Sequence, residues 1–540
     1  MTETDVVIIG AGHNGLTCAA YLAMAGLRVK VVERRKVVGG AAVTEEFHPG
    51  FRNSVAAYTV SLLNPQIISD LKLSHHGLRI VERRAQNFLP SPDSSYLLTG
   101  EGRTYQSIAG LSPRDADRID AFTRELEAIA DVLRQFVLRA PPNIIEGFGV
   151  GAIREAFNAL GTANILRSLS LEQQRSLLDL FTRSAGEMLD ERFESDLVKA
   201  LYGFDAIVGN YASPYAAGSA YVMLHHAFGE VNGKKGAWGH SVGGMGAITQ
   251  YMAEACEELG VEISLEAPVA KVLVDGNRVA GVRLESGEEI AAEVVAANVG
   301  PALLYRQLVD RADMSPEFAR RMDNFKAGSG TFRMNVALSE LPDFAVLPGK
   351  EVAEHHTCGI IISPTLDYMD KAFTDAKAKG WSDEPIVEMK LPTSIDDSLA
   401  PPGMHIASLF CQQFAPVLPD GRNWDDEREA AADLIIDTVT KHAPNFKGAV
   451  IARQIHSPLD LERKFGLIGG DIMHGHMSLD QLWAARPVLG HGDYRAPIKG
   501  LYMCGAGTHP GGGVTGAPGH NAAHEIIADR GIMGRWRRWK

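Results

Sequence analysis

At 540 residues, with 45% hydrophobic residues and a formal net charge of -13, the chain is long enough to bury a deep core and exceeds the length at which single cores usually divide. Its charge is dispersed rather than gathered in blocks, which excludes a nucleic-acid partner, since that needs a basic face. Five cysteines, Cys18, Cys256, Cys358, Cys411 and Cys504, are odd in number and far apart in sequence. Neither a disulfide framework nor a cysteine metal site is expected from them, and a cytoplasmic location is.

The first apolar run, Val6-Val-Ile-Ile9, starts too early to leave room for a secretion signal. It opens a βαβ unit: a buried strand, the turn Gly10-Ala-Gly-His-Asn-Gly15, a helix over Leu16 to Ala25 capped by Gly26, and a parallel strand over Leu27 to Val32. Glycine is needed at 10 for the tight turn, at 12 so that backbone approaches a pyrophosphate, and at 15 so that helix packs on strand. The helix start aims its N–H groups and positive dipole end at the phosphates. Glu33 ends the second strand, where a carboxylate accepts hydrogen bonds from ribose hydroxyls and repels a 2'-phosphate. A second glycine pair, Gly39-Gly40, follows seven residues on. A further close approach at that spacing suits the long FAD molecule better than NAD.

From Leu111 to Phe228 the pattern is helical, with capping boxes at Ser112-Pro-Arg-Asp115 and Ser170-Leu-Glu-Gln173. The loop Gly239-His-Ser-Val-Gly-Gly-Met-Gly246 precedes a helix ending near Gly260. Val261 to Ala297 reads as short strands with turns at Asp275-Gly-Asn277 and Ser286-Gly287. A mixed segment runs from Pro301 to His491. The close is an apolar strand to Cys504, the loop Gly505-Ala-Gly-Thr-His-Pro-Gly-Gly-Gly513, and a helix over Val514 to Ala528. That helix N-terminus is placed to stabilise negative charge on a reduced flavin ring. The expected organisation is therefore discontinuous. Segments 1–110, 231–300 and 491–540, the last including the tail, form the cofactor domain, and 111–230 and 301–490 form the substrate domain.

Glu33-Arg-Arg through Gly39-Gly-Ala-Ala-Val-Thr-Glu-Glu46, Gly243-Gly-Met-Gly246, Met477-Ser-Leu-Asp-Gln-Leu482 and Leu501-Tyr-Met-Cys-Gly505 through Gly513 together resemble the phytoene desaturase-like FAD oxidoreductases. Within them the nearest branch is that named for a pyridine nucleotide-disulfide oxidoreductase domain. The resemblance spans essentially the whole chain. It implies an α/β fold, with an FAD-binding Rossmann-like domain of glutathione reductase/amine oxidase type and a discontinuous α+β substrate domain. It also implies noncovalent FAD. The cofactor-binding set is Gly10, Gly12, His13, Asn14, Gly15, Glu33, Arg34, Gly39, Gly40, Ala41, Val269, Gly505, Gly507, Thr508, Gly512, Gly513 and Val514. The branch name is not followed to its chemistry. No cysteine has a CxxC-type partner, and Gly149-Val-Gly151 lacks the third glycine of a second nucleotide loop. Reoxidation by oxygen, a quinone or an electron-transfer protein is expected instead.

The expected substrate is a hydrophobic small molecule of isoprenoid or lipid type. Flavin dehydrogenation needs a base only where an O–H or N–H proton also leaves. Candidate catalytic groups are His474, placed just before the Met477 stretch, His226 of the His225-His226 pair, and His509. His474 and His476 lack a third ligand, so no metal is expected. Two alternatives are carried. One is a flavin amine oxidase, which wants an aromatic cage that 7% aromatics do not advertise. The other is a lipid-binding escort protein resembling the guanine-nucleotide dissociation inhibitors, which would have little need for both glycine loops. The tail Gly531-Ile-Met-Gly-Arg-Trp-Arg-Arg-Trp-Lys540 suits a peripheral membrane contact, the alternative being a frayed, solvated terminus or a contact with another copy of the chain in a homo-oligomer.

Overall fold

The computed structural model describes residues 4–143 and 150–531. Five short strands form a parallel sheet assembled from the two ends and the middle of the chain. In chain order the elements are β1 (Val6–Ile9), α1 (His13–Met24), β2 (Val29–Val32), β3 (Glu262–Ser264), β4 (Val294–Ala297), β5 (Leu501–Met503) and α2 (Ala517–Asp529). The sheet order is β3-β2-β1-β4-β5. β1 pairs with β2 from Val6↔Val29 and with β4 from Val6↔Val294, and β4 pairs with β5 from Val295↔Leu501. All four residues of β1 and of β4 are buried, as expected of strands covered on both faces. The chain leaves β1 through α1 toward β2, whereas β4 arrives on the other side, so the loop after β1 lies at a topological switch point. Ligands of open α/β sheets bind in the crevice at such a point.

Between β3 and β4 an antiparallel meander of Val269–Asp275, Arg278–Leu284 and Glu289–Ala291 is inserted. The helices Pro113–Val137 and Leu171–Thr182 start as their capping signals require: Ser112 Oγ accepts from Asp115 N at 3.1 Å, and Ser170 and Gln173 cap each other. A second, seven-stranded sheet runs in the order Val450–His456, Phe332–Leu338, His405–Phe414, Trp381–Lys390, Gly359–Ile362, Asn87–Pro90, Tyr96–Leu98.

Two boundaries differ from the sequence reading. Asn87–Pro90 and Tyr96–Leu98 lie inside segment 1–110 yet join the second sheet through the parallel pairing Gly359↔Asn87. Local pattern cannot tell which sheet a strand will join. α2 starts at Ala517 rather than Val514, because Gly513, Val514 and Gly516 have φ of +105°, +58° and +73°, outside the right-handed helical region. Gly149 and the basic tail beyond Gly531 lie outside the described residues. Among the described residues no helix is long and apolar enough to cross a membrane.

The cysteines carry a surprise. Cys18 on α1 and Cys504 after β5, 486 positions apart by number, are neighbours in the core, and burial followed by the adjacent thiol pushes the Cys18 thiol well up. Such a thiol is a poor nucleophile.

Candidate functional site

The loop after β1 is held from below by one carboxylate. Glu33 Oε2 accepts from Ala11 N and Oε1 from Arg35 N, each at 2.9 Å, with the side chain 5% exposed. Gly12 and Gly39 form an isolated parallel bridge, and Gly39 N donates to Ala11 O at 2.8 Å, so the two glycine turns are stitched together. A Cβ on Gly15 would lie 2.2 Å from Gly10 O, and one on Gly12 2.9 Å from Asn298 Nδ2. α1 begins with Gly12 as its N-cap and no side-chain cap, which leaves its first N–H groups to an incoming ligand.

These elements wall a cavity of ≈ 350 Å³ at the carboxyl ends of β1, β2 and β4. Of the sequence-derived set, Gly10, Gly12, His13, Asn14, Glu33, Arg34, Gly40, Ala41, Val269 and His474 line it. Gly15 and Gly39 lie behind its wall. Three buried polar atoms on lining residues have no hydrogen-bond partner: His13 Nδ1, Asn14 Oδ1 and His474 Nδ1. Orphaned buried polar atoms are rare, and three around one cavity mark the place of a polar ligand. Burial, then the neighbouring His474, lowers His13 to about 3, and burial, then the charge of Arg486, lowers His474 to about 4, so both are neutral at pH 7. His474 is held at φ +59°. Paired glycine turns, an open helix N-terminus, a ribose-type carboxylate and convergent unpartnered donors or acceptors fit a dinucleotide cofactor.

The C-terminal loop meets this cavity only through Ala506. Gly505, Gly507, Thr508, Gly512, Gly513 and Val514 do not line it. Thr508 Oγ1 turns back to Gly505 O at 2.8 Å, Gly507 is pressed on Pro301, Gly512 on Met473 and Gly513 on Leu62. Nor do two of the three catalytic candidates reach it. His226 bonds Val222 O of its own helix at 2.9 Å and lies against Trp238. Its neighbour His225 is the one that touches the loop, through Gly512 O at 3.3 Å, because successive helical residues face different ways. His509 bonds Phe136 O at 3.0 Å and packs on Trp483, anchoring the loop to the helix Pro113–Val137.

Two residues that pattern did not single out organise the site. Asn298, just after β4, donates to Gly10 O at 3.1 Å and touches the positions a Cβ would take on Gly10, Gly12, Gly15 and Gly505. Its signal was weak: a polar residue ending the apolar run Val294–Ala297. Arg486 is fully buried and donates to Ala506 O at 2.9 Å, Met473 O at 2.5 Å and Gln481 O at 3.1 Å, clamping the His474 turn to the C-terminal loop. Burial lowers its pKa to about 10, leaving it charged. An arginine among glycines and apolar residues carries no periodic signature.

Residues 15–331 match the family model described as flavin containing amine oxidoreductase. The chain is 41% identical to pyridine nucleotide-disulfide oxidoreductase domain-containing protein 2 of Mus musculus, over 98% of this chain and 94% of that one. It is 26% identical to a limonene dehydrogenase subunit of Castellaniella defragrans, over 99% and 96%. It is 24% identical to a phytoene desaturase (lycopene-forming) of Pseudescherichia vulneris, over 94% and 96%. Among solved structures, cyclohexylamine oxidase from Brevibacterium oxydans superposes with a TM-score of 0.58 at 15% identity, covering 98% of this chain and 99% of that one, a likeness of fold.

Proposed function

The chain belongs to the flavin containing amine oxidoreductase family, and we propose that it is an FAD-dependent dehydrogenase that takes hydride from a hydrophobic, isoprenoid- or lipid-like substrate. The observation that carries the cofactor is the convergence of His13 Nδ1, Asn14 Oδ1 and His474 Nδ1, all unpartnered, with Glu33 on one cavity beneath an uncapped helix start. Glu33 holds the ribose end, the N–H groups of α1 take the pyrophosphate, and neutral His474 and Ala41 border the opposite end. Bound flavin supplies the hydride-accepting chemistry. Noncovalent attachment is part of this reading; no cysteine lies on the cavity wall to form a thioether to the flavin.

The substrate class rests on two supports. Ala41, Phe465, Leu467 and Ala506 give the cavity apolar walls beside His474, and the limonene dehydrogenase and phytoene desaturase relatives, whose names denote terpenoid substrates, match nearly end to end. Neither histidine at the cavity is charged at neutral pH, so a C–H bond is broken here without a cationic acid beside it. Oxygen, a quinone or an electron-transfer protein is the acceptor in this reading. Amine oxidation is the second reading, favoured by the family match itself. Anaerobic mixing of the FAD-loaded protein with a terpene, a fatty acid, a primary amine and NADPH decides between them. Bleaching of the flavin band by the apolar substrates and not by the amine is expected. Bleaching by the amine alone selects the second reading, and a protein that takes up no FAD refutes both.

A further inference from the structure

We propose that Arg83 and Lys390 receive the carboxylate end of the substrate, in a small polar chamber next to the cofactor cavity. This deepens the dehydrogenase reading and rests on it. The chamber, ≈ 20 Å³, is lined by Tyr58, Arg83, His240, Thr357 and Lys390 among others, and has room for one or two oxygen-sized groups.

Its charges do not balance. Three cations, Arg83, Arg333 and Lys390, the last lowered to about 8 by burial, outnumber the two ionised carboxylates near them, Glu388 and Asp396, which are 6% and 5% exposed. Both oxygens of Glu388 are taken: Lys390 Nζ lies 2.5 Å from Oε1, and the Tyr58 hydroxyl donates to Oε2. Arg333, 1% exposed, spends its donors on Leu409 O, Val55 O and Ser408 Oγ and lies over the Tyr58 ring at 4.5 Å. Arg83 donates to Thr59 Oγ1 and sits 5.7 Å from the Trp238 ring, and no carboxylate pairs with it among the described residues. Asp396 is already held by His240 Nε2 at 2.9 Å and Gly243 N at 2.8 Å. Asp205, raised to about 7 chiefly by burial, adds at most part of a charge. A cation without a counter-ion in a largely buried cluster is destabilising, so a cluster with surplus cations is completed by an anion.

The backbone is built to keep these heads in place. A Cβ on Gly359 would lie 2.3 Å from Lys390 Nζ and 3.0 Å from Asn87 Oδ1, so only glycine at that strand position leaves space for the ammonium. The chamber is tied to the cofactor cavity through one chain step. Tyr58, on the chamber wall, follows Ala57, whose N–H donates to the carbonyl of Ala41 on the cavity wall at 3.0 Å. A guanidinium fork and an ammonium together match the two oxygens of a carboxylate, and the volume is too small for a phosphate. A protonated amine would be repelled.

Calorimetric titration of the FAD-loaded protein with dodecanoate, methyl dodecanoate and acetate tests this. Dodecanoate is expected to bind at least 10-fold more tightly than its ester and than acetate. Arg83→Gln and Lys390→Met are each expected to erase the preference for acid over ester while the bound flavin spectrum is kept. Equal affinity for acid and ester, binding of neither, or a preference that survives both substitutions overturns the proposal. Acetate as tight as dodecanoate makes the chamber a free-anion site and also overturns it. Should a variant fail to fold, the acid–ester comparison on the unaltered protein still decides. A protein that holds FAD and is reduced by terpenes but shows no acid preference loses this inference alone, whereas one that takes up no FAD loses the dehydrogenase reading, and acid binding to it is still measurable.

Discussion

Replacing Glu33 by Gln tests whether one carboxylate does two jobs. Glu33 accepts a backbone N–H on each oxygen, from Ala11 and Arg35, each at 2.9 Å, in a 5% exposed position. Glutamine offers one oxygen and one NH2, so in either orientation an amide N–H faces a backbone N–H. One charge-assisted bond becomes neutral and the other is lost with its donor left buried. With about 1.5–3 kcal/mol for a bond to a charged group and about 1–3 kcal/mol for an orphaned donor, the site loses on the order of 2–4 kcal/mol. That loss is read first as a lower urea midpoint of the apoprotein. If the remaining lone pairs also accept ribose hydroxyls, the FAD Kd rises by roughly 10-fold or more, since about 1.4 kcal/mol is one decade. A lower midpoint with an FAD Kd within twofold of the parent protein would leave Glu33 as a holder of the turn and refute its place at the cofactor. No change in either quantity would refute the hydrogen-bond reasoning itself.

Other expected outcomes follow from the same geometry. Gly519→Ala places a Cβ 2.0 Å from Asn14 O and 3.0 Å from Cys18 N, where backbone cannot yield, so α2 is pushed off α1 at a cost of about 1–3 kcal/mol or more. A lower melting temperature and loss of copurified flavin are expected, and normal flavin content would refute the close crossing. Arg486→Met leaves the carbonyls of Met473, Gln481 and Ala506 without their donor, and about 3 kcal/mol or more of stability should go with them; limited proteolysis within residues 473–486 should report the released turn. His474→Ala removes one neutral hydrogen-bonding group from the cavity and should weaken FAD by about 0.5–1.5 kcal/mol; an effect on substrate reduction with no effect on FAD affinity would move His474 to the substrate side. Acid should destabilise the fold. His474 falls from an ordinary 6.5 to about 4 on folding, so between those values the unfolded chain holds the extra proton and stability rises with pH. The contribution, on the order of 3 kcal/mol, is complete above pH 6.5 and lost as pH falls toward 4. Urea midpoints at pH 7.5 and 5 should differ in that direction, and less so in a His474→Gln protein.

The cofactor end was legible because backbone close approach writes itself in glycine. Gly10, Gly12, Glu33 and Gly40 could be placed on one wall from spacing alone, and the capping serines at 112 and 170 set helix starts correctly. What stayed hidden depended on contacts between distant segments. Asn298 reads as an ordinary strand end until β4 is set beside β1, and Cys18 and Cys504 look unrelated until α1 and β5 are packed together. Which of the histidines reaches the cavity was hidden for the same reason: His474 lines it and His226 and His509 do not. His226, His474 and His509 are alike in sequence, yet a helix turn, a left-handed residue and a carbonyl of another helix give them different neighbours. The charge imbalance at Arg83 and Lys390 is invisible in a chain whose total is -13; it exists only where segments far apart in sequence converge.

The sheet order β3-β2-β1-β4-β5 has a temporal consequence. The first strand of this sheet to be synthesised sits at its centre; β2 follows 23 residues later, its other partner β4 about 290 residues later, and β5, which pairs with β4, about 500 later by number. At roughly 5–20 residues per second of synthesis, β1 and α1 wait on the order of half a minute or longer before β5 and α2 arrive to close over Asn14 and Cys18. Until β4 arrives one side of the apolar Val6–Ile9 strand is an open edge, and from then until β5 arrives the outer side of β4 is, so nascent chains should depend on a holding chaperone, and translation that stops short of residue 501 should yield product that degrades rather than a colourless but stable fragment.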